Sequence, residues 1–71
     1  MEGHVITVVV NGKDRQIQAG ATLTELLHLL ELDSRMIVVE HNREIIRRPA
    51  LADTKLADGD NVELVHFVGG G

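Results

Sequence analysis

Residues 4–30, HVITVVVNGKDRQIQAGATLTELLHLL, hold a hairpin followed directly by a capped helix, and that succession decides the fold. His4 to Val10 is rich in valine and isoleucine, whose branched Cβ suits a pleated strand. Asn11-Gly12 is the dipeptide best suited to a two-residue type I′ turn, and Lys13 to Gln18 returns as the second strand. Across that turn Val10 faces Lys13, Val8 faces Arg15 and Ile6 faces Ile17, so the last pair marks the core face. Gly20-Ala21 breaks the strand. Thr22-Leu23-Thr24-Glu25 then matches a capping box, in which the Thr22 hydroxyl accepts from the Glu25 amide and the Glu25 carboxylate accepts from the Thr22 amide. Leu23, Leu26, Leu27 and Leu30 form one stripe with Glu25, His28 and Glu31 opposite, so a helix of about three turns is expected to lie on a sheet.

Further along, Met36 to Glu40 is expected as a third strand, apolar enough to be buried. His41-Asn42-Arg43-Glu44 reads as a turn and Ile45-Ile46 as a short fourth strand. Pro49 is expected to hold Arg48 out of a helix and to redirect the chain, with a short helix or 3₁₀ turn somewhere in residues 50–57. Asp58-Gly59-Asp60 is a turn, and residues 61–68 form the last strand. In it Val62 and Leu64 belong under the helix, while Val65 and Phe67 belong on the opposite face. The order β-β-α-β-β-(short helix)-β predicts a two-layer α+β domain over residues 1–68. Its mixed sheet of four to five strands packs on one main helix and keeps the other face partly open. Residues 69–71 are left as a tail.

A chain of 71 residues makes one domain with a small continuous core and little room for a deep catalytic pocket. Its net charge of −4 and its single aromatic residue, Phe67, oppose nucleic-acid binding, which draws on basic stripes and stacking platforms. No apolar run approaches the roughly 20 residues that span a bilayer. Met1-Glu2-Gly3-His4 lacks the basic start of a signal peptide, so a soluble cytoplasmic protein that is monomeric when free is expected. The absence of cysteine excludes disulfides, thiolate metal sites and thiol nucleophiles.

Chemistry concentrates at the glycines. Gly69-Gly70-Gly71 has no side chain to obstruct a narrow channel, and fully extended it reaches roughly 10 Å. A terminal carboxylate, with a reference pKa of about 3.3–3.7, is ionised near neutrality and can attack the α-phosphate of ATP. The alternative is an inert frayed end. His4, His28, His41 and His66 lack zinc-ligand spacing and read as surface or edge residues, so no metal site is expected. Asp58 and Asp60 flank Gly59 as turn formers rather than as an acid–base pair. Arg43, Arg47 and Arg48 form a small basic cluster, either solvated or facing an acidic patch or phosphate of a partner. Asp33-Ser34 resembles the start of a phosphopantetheine-attachment motif, but Arg35 follows and a strand-like run replaces the helix that motif opens.

Three segments resemble the ThiS family of thiamine-pathway sulfur carriers, which are ubiquitin-like β-grasp proteins. They are Val39-Glu40-His41-Asn42-Arg43-Glu44-Ile45-Ile46-Arg47-Arg48, Leu56-Ala57-Asp58-Gly59-Asp60, and the closing Glu63-Leu64-Val65-His66-Phe67-Val68-Gly69-Gly70-Gly71. Arg43 stands where that family often has glycine, and Arg47 where it usually has proline, which follows here at Pro49. The resemblance implies a protein co-substrate rather than an enzyme, with no catalytic residue and no bound cofactor of its own. A ubiquitin-activating-like (ThiF-type) adenylating enzyme would use ATP and magnesium to adenylate Gly71. Sulfur from a cysteine desulfurase would then make the thiocarboxylate, and a ThiG-type thiazole synthase would receive it. Gly69 and Gly70 would thread into the partner's active site, and Val65 and Phe67 would dock against the partner. Three alternatives stay open: a carrier like the molybdopterin-synthase small subunit, a protein modifier attached to lysines, and a β-grasp interaction module with an inert tail.

Overall fold

Val5–Val10 (β1) and Lys13–Gln18 (β2) pair antiparallel in a computed structural model that describes residues 4–67. The register is the expected one, with Val10 opposite Lys13, Val8 opposite Arg15 and Ile6 opposite Ile17. Asn11 and Gly12 have φ of 49° and 83°, the left-handed pair a type I′ turn requires. The helix Leu23–Leu29 (α1) begins with the complete capping box: Thr22 Oγ1 accepts from the Glu25 amide at 3.2 Å, and Glu25 Oε1 accepts from the Thr22 amide at 2.8 Å.

That helix is shorter than the leucine stripe suggests. Leu30 caps it and Glu31 turns left-handed at φ 59°. The Glu31 and Leu32 amides then donate to the carbonyls of His28 and Leu27 at 3.0 and 2.9 Å, a Schellman closure. Leu23, Leu26 and Leu27 are buried, whereas Leu30 is only partly so.

The chain continues through a 3₁₀ turn at Ser34–Met36, capped by Asp33, into Ile37–His41 (β3) and Glu44–Ile46 (β4). The third strand therefore starts one residue later than expected, and it is not wholly buried. Ile37 and Val39 face the core while Val38 is 39% exposed, because one helix covers only one face of the sheet. Asn42 and Arg43 make the β3–β4 turn at φ 50° and 73°, so arginine takes a conformation that glycine would adopt without steric cost. Pro49 does not exclude Arg48 from a helix. Arg48–Leu51 (α2) is a single turn with proline in its first positions, where the missing amide would have no intrahelical partner anyway. Asn61–His66 (β5) closes the fold.

The sheet order is β2-β1-β5-β3-β4. β5 runs parallel to β1 and antiparallel to β3, and so occupies the centre of a mixed five-stranded sheet. Val8, Val10, Ile17, Ile37, Val39, Val62 and Leu64 supply the sheet side of the core. The three helical leucines meet them, with Ala21, Leu51 and Leu56 closing the rim. Among the described residues no polar or charged side chain is buried.

Asn11 has a second task. Its amide donates to the Val62 carbonyl at 2.9 Å, its Nδ2 donates to the Leu64 carbonyl at 3.1 Å, and its Oδ1 accepts from the Leu64 amide at 2.7 Å. The side chain thus continues the β1–β5 ladder past the end of β1. Asn11→Ala is expected to cost about 3 kcal/mol, from a left-handed alanine and the lost pair of bonds. Asn11→Gly, which keeps the turn and loses only the clamp, is expected to cost about half as much. Urea midpoints measure both, and an Asn11→Gly variant as stable as the unsubstituted chain would show that the clamp contributes nothing.

Candidate functional site

The site is the end of the central strand and the sheet face around it. β5 is gripped from both sides: by the Asn11 side chain at Leu64, and by β3 through the Ile37–His66 pair. One further bond, from the Phe67 amide to the Met36 carbonyl at 3.2 Å, carries the grip to the last described residue. Whatever follows Phe67 therefore leaves from a fixed point. Val68, Gly69, Gly70 and Gly71, on which the tail expectation rests, lie outside the described residues, as do Met1 to Gly3.

Val65 and Phe67 stand on the open face as expected, 57% and 47% exposed. Two further apolar residues adjoin them on that face, Val38 and Ile45. Val38 is the cross-strand partner of Val65, and Ile45, 64% exposed, is the partner of Glu40 on the neighbouring strand. Sequence reasoning missed both, because a continuous Met36–Val39 run shows no alternation from which to tell its two faces apart. Glu40 and Glu63 lie opposite each other in the same register, so the face is apolar near the tail and acidic two residues away.

The expected arginine cluster divides. Arg47 and Arg48, with Arg35 from the 3₁₀ turn, line a shallow groove together with Val38, Ile45 and Phe67. Arg43 sits in the β3–β4 turn at the other end of β4. Arg35 is held by Asp33, with Nη2 to Oδ2 at 2.8 Å and Nε to Oδ1 at 3.1 Å. Hydrogen bonds from the Arg35 side chain, and then from its backbone amide, hold the Asp33 carboxyl down at about 2.

At the opposite end of the sheet the two acidic turn residues act as staples. Asp58 Oδ1 accepts from the Thr7 amide at 2.8 Å. Asp60 Oδ2 accepts from His41 Nε2 at 2.7 Å and from the Ala57 amide at 2.8 Å, and its Oδ1 accepts from Asn42 Nδ2 at 3.1 Å. The His41 and Asp60 side chains are only 17% and 13% exposed, so His41 is not the surface residue its isolation in sequence suggests. His4, His28 and His66 are exposed. Among the described residues no group of three or more His, Cys, Asp or Glu side chains is placed to hold a metal ion.

Burial raises the Asp60 carboxyl, but the bonds from His41, Ala57 and Asn42 outweigh it and leave the pKa below its ordinary value. A depressed carboxylate stabilises the fold above its unfolded pKa of about 3.9, and that stability is lost as pH falls through the folded value. Asp60→Asn is accordingly expected to cost about 2 kcal/mol at pH 6, with the gap to the unsubstituted protein closing below about pH 4. Urea unfolding from pH 6 downward checks it, and a gap that does not narrow as pH falls below about 4 would assign the loss to something other than the charge.

A central final strand beside the first, one helix across one face and an apolar open face together define a β-grasp, ubiquitin-like domain. The chain belongs to the ThiS family, whose model matches residues 8–71. The crystal structure of a thiamine biosynthesis protein (ThiS) from Geobacter metallireducens superposes with a TM-score of 0.81 at 36% identity, covering 93% of this chain and all of that one. The sulfur carrier protein ThiS of Bacillus subtilis is 40% identical over 63 residues, which is 87% of this chain and 96% of that protein. A thiazole synthase of Paramagnetospirillum magneticum is 42% identical over 64 residues, covering 90% of this chain. This chain spans only 20% of the length of that synthase. Among the described residues no helix is long and apolar enough to cross a membrane.

Proposed function

We propose that this ThiS-family chain is a sulfur carrier of thiamine biosynthesis and that its working group is the Gly71 carboxylate. One observation carries the reading: the family match extends to Gly71, and β5, at the centre of the sheet, precedes it in the chain. A carboxylate resists substitution until one oxygen becomes a leaving group. A partner's ATP site supplies that by letting a Gly71 oxygen attack the α-phosphate and release pyrophosphate. A persulfide sulfur then attacks the acyl carbon and AMP departs, leaving an acyl disulfide that a second thiol of the sulfur-delivering partner cleaves to the thiocarboxylate, closing a disulfide on that partner. ATP and magnesium belong to the adenylating partner, and the sulfur comes from a cysteine desulfurase. The recipient is a thiazole synthase, a choice supported by the likeness to synthases that contain a stretch similar to this chain.

In this scheme the body of the domain supplies recognition, and Gly69 and Gly70 pass through a channel too narrow for side chains. Val65 and Phe67 dock on the adenylating enzyme. That enzyme is expected to exchange labelled pyrophosphate into ATP only when this chain is present. Phe67→Asp is expected to weaken binding about 30-fold, as for a central apolar contact worth about 2 kcal/mol, without lowering the thermal midpoint. Titration calorimetry measures it, and unchanged affinity would remove this face from the docking surface.

A further inference from the structure

We infer that the arginine-bordered groove beside Phe67 is where a protein partner seats an acidic segment with apolar side chains, fixing the direction in which the tail enters. The inference rests on the carrier reading and specifies the partner's chemistry at that site. The groove is lined by apolar side chains, Val38, Ile45 and Phe67 among them, and by Arg35, Arg47 and Arg48. Among the described residues Asp33 is the carboxylate that pairs with Arg35, and neither Arg47 nor Arg48 lies within salt-bridge distance of a carboxylate. Three arginines and the Asp33 carboxylate thus leave one corner with a charge of +2 (three minus one) on a chain whose net charge is −4.

The same open face turns acidic where Glu40 and Glu63 oppose each other across β3 and β5, two residues from the Val38–Val65 pair. Two residues of strand are about 7 Å, so the acidic pair lies about one side chain's reach from the apolar pair. A partner matched to this surface carries its acidic groups at the tail end of the apolar patch. Rotated by half a turn, the same partner would bring carboxylates onto Glu40 and Glu63. Like-charge contacts of that kind select against the wrong orientation. Nucleic acid or an anionic membrane fits less well, because each spreads negative charge across the whole face, including the acidic pair.

R47E/R48E is the test, measured by titration calorimetry against the adenylating enzyme and against thiazole synthase at low and moderate salt. Affinity for at least one partner is expected to fall tenfold or more, with the salt dependence of the unsubstituted chain flattened. R47Q/R48Q is expected to fall between the two. K13E/R15E makes the same charge change on β2 and is expected to shift affinity less than about twofold. Melting curves establish that each variant is folded; Arg47 makes no side-chain cap bond and both arginines are exposed, so folding is expected to survive. Equal affinities for R47E/R48E and the unsubstituted chain, while the latter loads sulfur normally, would overturn this inference and leave the carrier reading intact. A weakening matched by K13E/R15E would also overturn it, since general charge would then be responsible. An unsubstituted chain that neither binds nor loads would overturn both.

Discussion

Gly71→Ala is expected to lower sulfur loading about 100-fold while leaving the unfolding midpoint unchanged. Only the Gly71 carboxylate undergoes chemistry in the proposed scheme, and the glycines before it act by being narrow. A methyl group on the last Cα has to fit inside the adenylation channel. If it moves the carboxylate by about 1 Å from the α-phosphate, a loss of that order follows. Stability is expected to be untouched because the core is complete without the tail, from Val8 to Leu64. Loading rates followed by mass spectrometry, with a melting curve on the same sample, separate the two effects. Loading at the normal rate would show that the channel tolerates a side chain and would remove the reason for the glycines.

Leu26→Ala is the opposite case, with a large effect on the fold. Leu26 is fully buried in α1, in one core with Leu23 and Leu27 and with Val62 and Leu64 of β5. Truncation removes three buried carbons and leaves a cavity, at a cost of about 3 kcal/mol. A 71-residue domain has roughly 4–10 kcal/mol of stability in total, so a third or more is lost through one side chain. Leu26→Met, which conserves volume, is expected to cost less than about 1.5 kcal/mol. Urea titration of both variants measures the difference. A loss below about 1 kcal/mol for the alanine variant would show that the helix is not seated on the sheet as described.

Local chemistry explains which parts of this fold were legible in the sequence. The Asn11-Gly12 turn, the Thr22–Glu25 capping box and the Val62/Leu64 alternation each state their geometry within a few residues, and each is found where expected. The end of α1 carries no such mark. Its left-handed residue is Glu31, without the glycine that usually signals a Schellman closure, so the leucine stripe suggested an extra turn. Pro49 looked like a barrier and instead occupies a helix start, where proline is tolerated.

The site divides along the same line. Val65 and Phe67 were legible because β5 alternates, whereas Val38 and Ile45 needed the pairing of β3 with its neighbours to place them on the open face. Asn11 on Leu64 and His41 on Asp60 join residues 53 and 19 positions apart, and no local pattern announces such partners. The arginine groove likewise forms only when the 3₁₀ turn, β4 and the start of α2 come together at Phe67.

Sulfur that travels on Gly71 must change the mass of this chain, and intact-mass measurement before and after incubation with ATP, magnesium, the adenylating enzyme and a sulfur source reads that change. The expected shift equals the replacement of one oxygen by sulfur, localised by fragmentation to Gly71. An unchanged mass, with an enzyme shown to be active on another carrier, would contradict it.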